Sequence, residues 1–68
     1  MRFTKRMNFE IYDRVFVHIQ EGYAGTVVSI ILDQKNLKVN LVLTGVPDGR
    51  PCRVDSNDCE LIRRRSEL

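Results

Sequence analysis

RVFVHIQEGYAGTVVSI, residues 14–30, consists of two apolar runs on either side of the short segment Gly22-Tyr23-Ala24-Gly25. The first run alternates between two sets of side chains, as a strand with one face on a core does: Val15, Val17 and Ile19 against Phe16 and His18. The second run, residues 26–32, is β-branched and nearly continuously apolar, which is typical of a strand that is buried on both faces or strongly curved. We therefore predict strands at residues 14–20 and 26–32.

The glycine segment between these strands has two interpretations. A phosphate-binding loop needs backbone N–H groups that converge on an anion at a helix N-terminus, with GxxxxGK[ST] or GxGxxG spacing. Gly22 and Gly25 match neither spacing, and a β-branched run follows them. We therefore predict a bend between two strands, in which the glycines allow a sharp turn and close packing.

The rest of the chain alternates turn-forming residues with short apolar runs. Asp33-Gln34-Lys35-Asn36 predicts a hairpin, and residues 44–49, which include Pro47 and Gly49, predict another reversal. Strands are expected at residues 37–43, 51–54 and 60–62, with Asp55-Ser56-Asn57-Asp58 interrupting the last two. A helix over residues 57–65 is the alternative for the far end.

Five short strands with one apolar face each are best buried when a single sheet curls into a small barrel. We predict an all-β domain of this kind over residues 12–62. Residues 1–11 are expected to form a basic N-terminal segment, either an added strand or a flexible arm, and residues 63–68 a basic tail.

Two segments resemble the KOW motif of SH3-like barrels in ribosomal proteins and NusG-type transcription factors. They are Asp13-Arg14-Val15-Phe16-Val17 and Gly22-Tyr23-Ala24-Gly25-Thr26-Val27-Val28-Ser29-Ile30. Residues 54–62 are similar to the ending of such barrels, a strand, a single turn and a strand. The resemblance implies a five-stranded SH3-like barrel and RNA binding, although Gln20, Glu21 and Tyr23 replace the basic loop of the ribosomal form. Tudor-like barrels of the wider group bind proteins, so the fold does not decide the ligand.

Composition restricts the functional class. The chain has 68 residues, enough for one domain and one small core, which disfavours a deep catalytic cleft. The longest apolar run, residues 27–32, is too short to span a bilayer, and no signal-peptide apolar region follows the basic start, so a cytoplasmic location is expected. Cys52, Cys59 and the distant His18 lack zinc-site spacing, so no cofactor or metal is predicted and the thiols are expected to be free.

Basic residues concentrate at the two ends of the sequence. The residues outside 7–62 include six basic residues and one acid, whereas residues 7–62 include five basic residues and eight acids. The six basic residues at the ends are the predicted nucleic-acid contacts: Arg2, Lys5, Arg6, Arg63, Arg64 and Arg65. Tyr23, predicted at a loop tip, is added as an aromatic that stacks on a base. The competing interpretation is a solvated tail. Phe16 is a second aromatic on an outer strand face, for which core packing is the favoured interpretation.

Two functional hypotheses follow, and neither is enzymatic. The first is a monomeric, non-catalytic module of transcription or translation that binds RNA, DNA or a nucleic-acid-processing complex. The second is a small regulator or inhibitor, such as a phage-encoded one, that docks on a larger protein through strand edges, the 44–50 loop and the net acidic surface of residues 7–62. No membrane or small-molecule partner is expected, and His18 has no catalytic partner at recognisable spacing, so we predict no enzyme activity.

Overall fold

Five antiparallel strands make up the computed structural model, which describes residues 9–64. They are β1 (Arg14–Val17), β2 (Tyr23–Asp33), β3 (Lys38–Thr44), β4 (Cys52–Asp55) and β5 (Cys59–Arg63), with a 3₁₀ turn at Ser56–Asp58 before β5. The predicted all-β class and five strands are confirmed. The segment 1–8 and residues 65–68 lie outside the described residues, and with them the predicted contacts Arg2, Lys5, Arg6 and Arg65.

The strands form one sheet in the order β4-β3-β2-β1-β5. β4 and β5 are its two edges, and within residues 9–64 no pairing joins them, so the sheet is open and barrel closure is not confirmed. The last strand lies against the first because β5 pairs with β1 and not with β4. No helix in the described chain is long and apolar enough to cross a membrane.

The bend after β1 lies earlier than the sequence predicted. β1 ends at Val17, and Gln20 and Gly22 take positive φ angles of 57° and 86° in the turn. Tyr23, Ala24 and Gly25 belong to β2, where they pair with Val17, Phe16 and Val15. The prediction that residues 22–25 are all bend was wrong, because backbone pairing with β1 extends the second strand to Tyr23.

The other turns follow their side-chain chemistry. Asp33 accepts hydrogen bonds from the backbone N–H of Asn36 at 3.2 Å and from its side-chain amide at 2.9 Å, which closes the β2–β3 hairpin. Leu37, predicted as a strand residue, lies in that turn with φ 55° and is 90% exposed. Asp55 accepts a hydrogen bond of 2.9 Å from the N–H of Asn57 and so caps the 3₁₀ turn, and residues 59–63 form β5 in place of the alternative helix.

The core lies on one face of the sheet. Five of its members are fully buried and come from β1, β2 and β3: Val15, Val17, Val27, Leu41 and Leu43. Val46 and Val54, each 7% exposed, complete it. Gly25 packs closely against this core, since a Cβ there would lie 3.0 Å from Val46 Cγ1 and 3.1 Å from Leu43 Cβ, and these side chains would have to shift by a few tenths of an ångström. The predicted close packing at the glycines is therefore confirmed at Gly25.

β2 changes character at a β-bulge at Val28. The register with β3 shifts between Val27 and Ser29, and a bulge of this kind bends a strand. Beyond it Val28, Ile30 and Leu32 are exposed. Of the two environments predicted for this apolar run, burial on both faces is wrong, and the bulge fits the strongly curved alternative.

Substitution of Gly22 by Ala is expected to destabilise the fold more than Gly45→Ala. Both glycines have positive φ, 86° and 70°, so each alanine costs about 1–2 kcal/mol of backbone strain. Only at Gly22 would the new Cβ overlap another side chain, the end of the Phe16 ring, whose displacement from its rotamer adds roughly 1 kcal/mol. Urea unfolding of the two variants measures the difference, and equal destabilisation would contradict the predicted Phe16 contact.

Candidate nucleic-acid interface

Arg63 lies next to Arg14 on the outer face of the sheet. The two residues are register partners in the β1–β5 pairing, and partners in antiparallel strands project from the same face. Both are exposed, and Arg14 donates a hydrogen bond of 3.0 Å from Nη1 to Thr26 Oγ1 on β2. Among residues 9–64 neither guanidinium forms an ion pair with a carboxylate. Two positive charges therefore lie side by side with no carboxylate partner in the described part of the chain.

Phe16 continues this face along β1. It lies two residues from Arg14, opposite the core side chains Val15 and Val17, and is half-buried. Its ring meets the His18 ring edge-on, with centroids 4.9 Å apart and an interplanar angle of 66°. Among the described residues Phe16 is not a member of the buried core cluster, because its strand face points away from the buried valines, and its predicted core packing stays a prediction. We call Arg14, Phe16, Thr26 and Arg63 the basic face.

A carboxylate lies on the same side of the sheet near the end of β1 that is farther from Arg14. The His18 side chain is 57% exposed, and its Nε2 lies 2.8 Å from Glu60 Oε1 on β5. Glu60 is the register partner of Phe16, so this carboxylate lies on the same side of the sheet as the arginines. Glu60 therefore contacts His18 at the end of the basic face that is farther from Arg14.

The Arg64 side chain lies against Glu10 and the buried Asp13 and is not part of the basic face. Its Nη1 lies 3.0 Å from Glu10 Oε2, and its Nη2 lies 3.6 Å from Oδ2 of Asp13, a residue with 0% exposure. Asp13 Oδ2 also accepts a 2.8 Å hydrogen bond from the Glu10 backbone N–H, while its buried Oδ1 accepts none from residues 9–64. Arg64, predicted as a phosphate contact, is therefore engaged by two carboxylates of its own chain.

Tyr23 is a strand residue and not a loop tip. It opens β2, is half-buried against the core, and its hydroxyl lies 3.6 Å from Cys52 Sγ. The hydrogen bond with Cys52 and partial burial raise the pKa of the Tyr23 hydroxyl to about 12. The predicted loop-tip position was wrong because residues 23–25 pair with β1. Its predicted stacking role stays a prediction.

The two thiols are free and partly buried. Cys59 Sγ donates a hydrogen bond of 3.6 Å to the Asp55 carbonyl. Burial, followed by the negative charges of Asp58 and Asp55, raises the pKa of the Cys59 thiol to about 11. Within residues 9–64 no group of three His, Cys, Asp or Glu side chains is arranged to hold a metal ion.

Comparison with known proteins gives no match to any family model, curated protein or solved structure.

Sequence reasoning missed Arg14 and Asp13. Arg14 was counted only among the five basic residues of the net acidic segment 7–62, although its alternation with Val15 already placed it on the outer face. Its proximity to Arg63, itself a predicted contact, becomes visible only with the β1–β5 pairing, which no local pattern in the sequence specifies. Asp13 gave no signal, because a carboxylate at a strand start is ordinarily solvent-exposed.

Replacement of Arg64 by Met is expected to lower the free energy of unfolding by about 1–3 kcal/mol, since it leaves the buried Asp13 carboxylate without its positive partner. Arg63→Met is the matched control: it removes the same charge from an exposed neighbouring site and should change stability little. Urea unfolding measures both. The double variant Asp13→Asn/Arg64→Met should recover part of the loss, and equal stability of the two single variants would contradict the ion-pair role.

Stability is expected to fall as pH rises from 9.0 to about 11 because of Cys59. The ordinary pKa of the thiol is 9.0 and the folded protein raises it to about 11, so in this range the unfolded chain loses its proton first. The contribution is complete below pH 9.0 and is lost on passing the folded pKa. Urea unfolding across this range should show a smaller decline for Cys59→Ala than for the unaltered chain, and identical declines would contradict the assignment.

Proposed function

We propose that this chain is a non-catalytic nucleic-acid-binding domain with an SH3-like barrel fold of the KOW type. The basic face, residues 14, 16, 26 and 63, is its contact surface. The observation that carries the proposal is the adjacent pair Arg14 and Arg63, exposed on neighbouring strands without a carboxylate partner in the described chain. The strand order and the 3₁₀ turn before β5 support the SH3-like part of the proposal.

The physical reason is electrostatic. Like charges directly opposite on paired strands repel each other, and a polyanion lying across both removes that repulsion. Each neutralised phosphate also releases condensed counterions, which supplies sequence-independent affinity. Arginine is suited to this role because its guanidinium presents several donors in a fork that matches two phosphate oxygens.

Phe16 adds a second element to the proposed surface. An aromatic ring beside phosphate-binding arginines can stack on a base, which contributes about 1–3 kcal/mol in single-stranded complexes. Phe16 projects from the same face as Arg14 and is half-buried, so it is held in place by Gly22 and His18 while part of its surface stays accessible. The predicted contacts at positions 2, 5, 6 and 65 lie outside the described residues and stay part of the proposal through their positive charge alone.

We expect Arg14→Gln and Arg63→Gln each to weaken binding of labelled oligonucleotides and to reduce the slope of log affinity against log salt by about one. Arg50→Gln is the matched control, because it removes the same charge from an exposed position before β4, away from the basic face. Fluorescence anisotropy with single-stranded RNA, single-stranded DNA and duplex DNA, at low and physiological salt, measures all four proteins.

The result that contradicts the proposal is absence of binding at low salt, or equal loss in all three variants. The first outcome favours the alternative function, a regulator that docks on another protein. The second places the affinity in overall charge and not in the basic face. If binding is observed and the two basic-face variants weaken it more than Arg50→Gln does, the preference among the three oligonucleotides identifies the class of nucleic acid.

A further inference from the structure

His18 continues the outer side of β1 directly beyond the basic face. Its backbone N–H donates to the Asp58 carbonyl at 2.8 Å, which holds the residue against the end of the 3₁₀ turn. Its ring meets the ring of Phe16, two residues before it, with centroids 4.9 Å apart. The imidazole is therefore fixed beside the surface that is proposed to bind nucleic acid.

The imidazole binds a carboxylate of the neighbouring strand. Nε2 of His18 lies 2.8 Å from Oε1 of Glu60, and both side chains are exposed. Because an ionised carboxylate only accepts hydrogen bonds, Nε2 is the donor in this contact whether the ring is neutral or charged. Nδ1 is therefore the atom at which the ring gains the proton that makes it a cation.

The other titratable groups near the ring are accounted for. Three carboxylates belong to the elements next to it: Glu60 on β5, Asp58 in the 3₁₀ turn and Glu21 in the turn after β1. Among residues 9–64, Glu60 alone forms an ion pair with His18. Tyr23 and Cys59 are both register partners of Val17, so they lie on the core face and not beside the imidazole.

We infer that the His18–Glu60 pair makes nucleic-acid binding by the basic face dependent on pH. With a neutral ring, Glu60 keeps its negative charge on the side of the sheet that carries Arg14 and Arg63, where it repels phosphate. Protonation of His18 neutralises Glu60, so the net positive charge of these four side chains doubles. The inference rests on the proposed function and adds a regulation of the same surface.

The identity of the partner of Glu60 is the reason for this dependence. A carboxylate beside a phosphate-binding surface opposes a polyanion unless a cation neutralises it, and arginine would do so at every physiological pH. Within residues 9–64, the ion-pair partner of Glu60 is instead a histidine, the side chain whose charge ordinarily changes between about pH 5 and 8. The chain contains one histidine, so His18 is the one imidazole that can produce the effect.

The test is fluorescence anisotropy of the full 68-residue chain with labelled single-stranded RNA, single-stranded DNA and duplex DNA at low salt, from about pH 8 to about pH 5.5. We expect affinity to rise roughly three- to tenfold as the pH falls, which is the contribution of about one further phosphate contact. His18→Gln should lose this rise. Glu60→Gln should bind more tightly than the unaltered chain at the upper pH, and Asp48→Asn is the matched control because it removes an exposed carboxylate from the 44–50 loop.

Both His18 and Glu60 are exposed, so their variants should fold, which urea unfolding at the two ends of the pH range checks. Binding that does not vary with pH, or a rise that His18→Gln retains, overturns the inference and leaves the proposed function standing. An equal gain in Glu60→Gln and Asp48→Asn also overturns it, because Glu60 would then act only through the net charge of the chain. Absence of binding at every pH overturns the proposed function and the inference together.

Discussion

The sheet depends on a buried carboxylate at the start of its first strand. Asp13 is fully buried, and Arg64, directly after the last strand, supplies positive charge beside it. The same arginine binds Glu10, which precedes the turn into β1. One side chain thus connects the beginning of the described chain to its end, across two strands that are adjacent in the sheet and distant in the sequence. Because a small core stabilises a domain only marginally, an ion pair of this kind contributes a large fraction of the free energy of unfolding.

Strand geometry separates the functions of neighbouring arginines. Side chains alternate between the two faces of a strand, so consecutive basic residues cannot all serve one surface. Arg63 stands outside beside Arg14, whereas Arg64 turns to Asp13. A run of arginines that looks uniform in sequence therefore contains a residue of the proposed nucleic-acid contact and a residue that stabilises the fold.

Local patterns predicted the strands and the reversals between consecutive strands, but not the pairing of β1 with β5. Alternation around Val15 and Val17 and the turn chemistry of Asp33 and Asp55 located all five strands, because these signals act within a few residues. The start of β2 was misplaced, since pairing with β1 extends it to Tyr23. The β1–β5 pairing, and with it the juxtaposition of Arg14 and Arg63, arises from contacts between distant segments. Sequence periodicity carries no information about such contacts.

The position of β5 beside β1 also has a kinetic consequence. Pairing of the last strand with the first is the most non-local contact of the sheet, and non-local contacts slow folding because a long loop must close before they form. Chains are synthesised from the N-terminus, so β1 must wait for the residues of β5 before its outer edge is covered. A nascent or unfolded chain therefore lacks the paired arginines altogether, and the charge arrangement proposed to bind nucleic acid exists only once the whole sheet has formed.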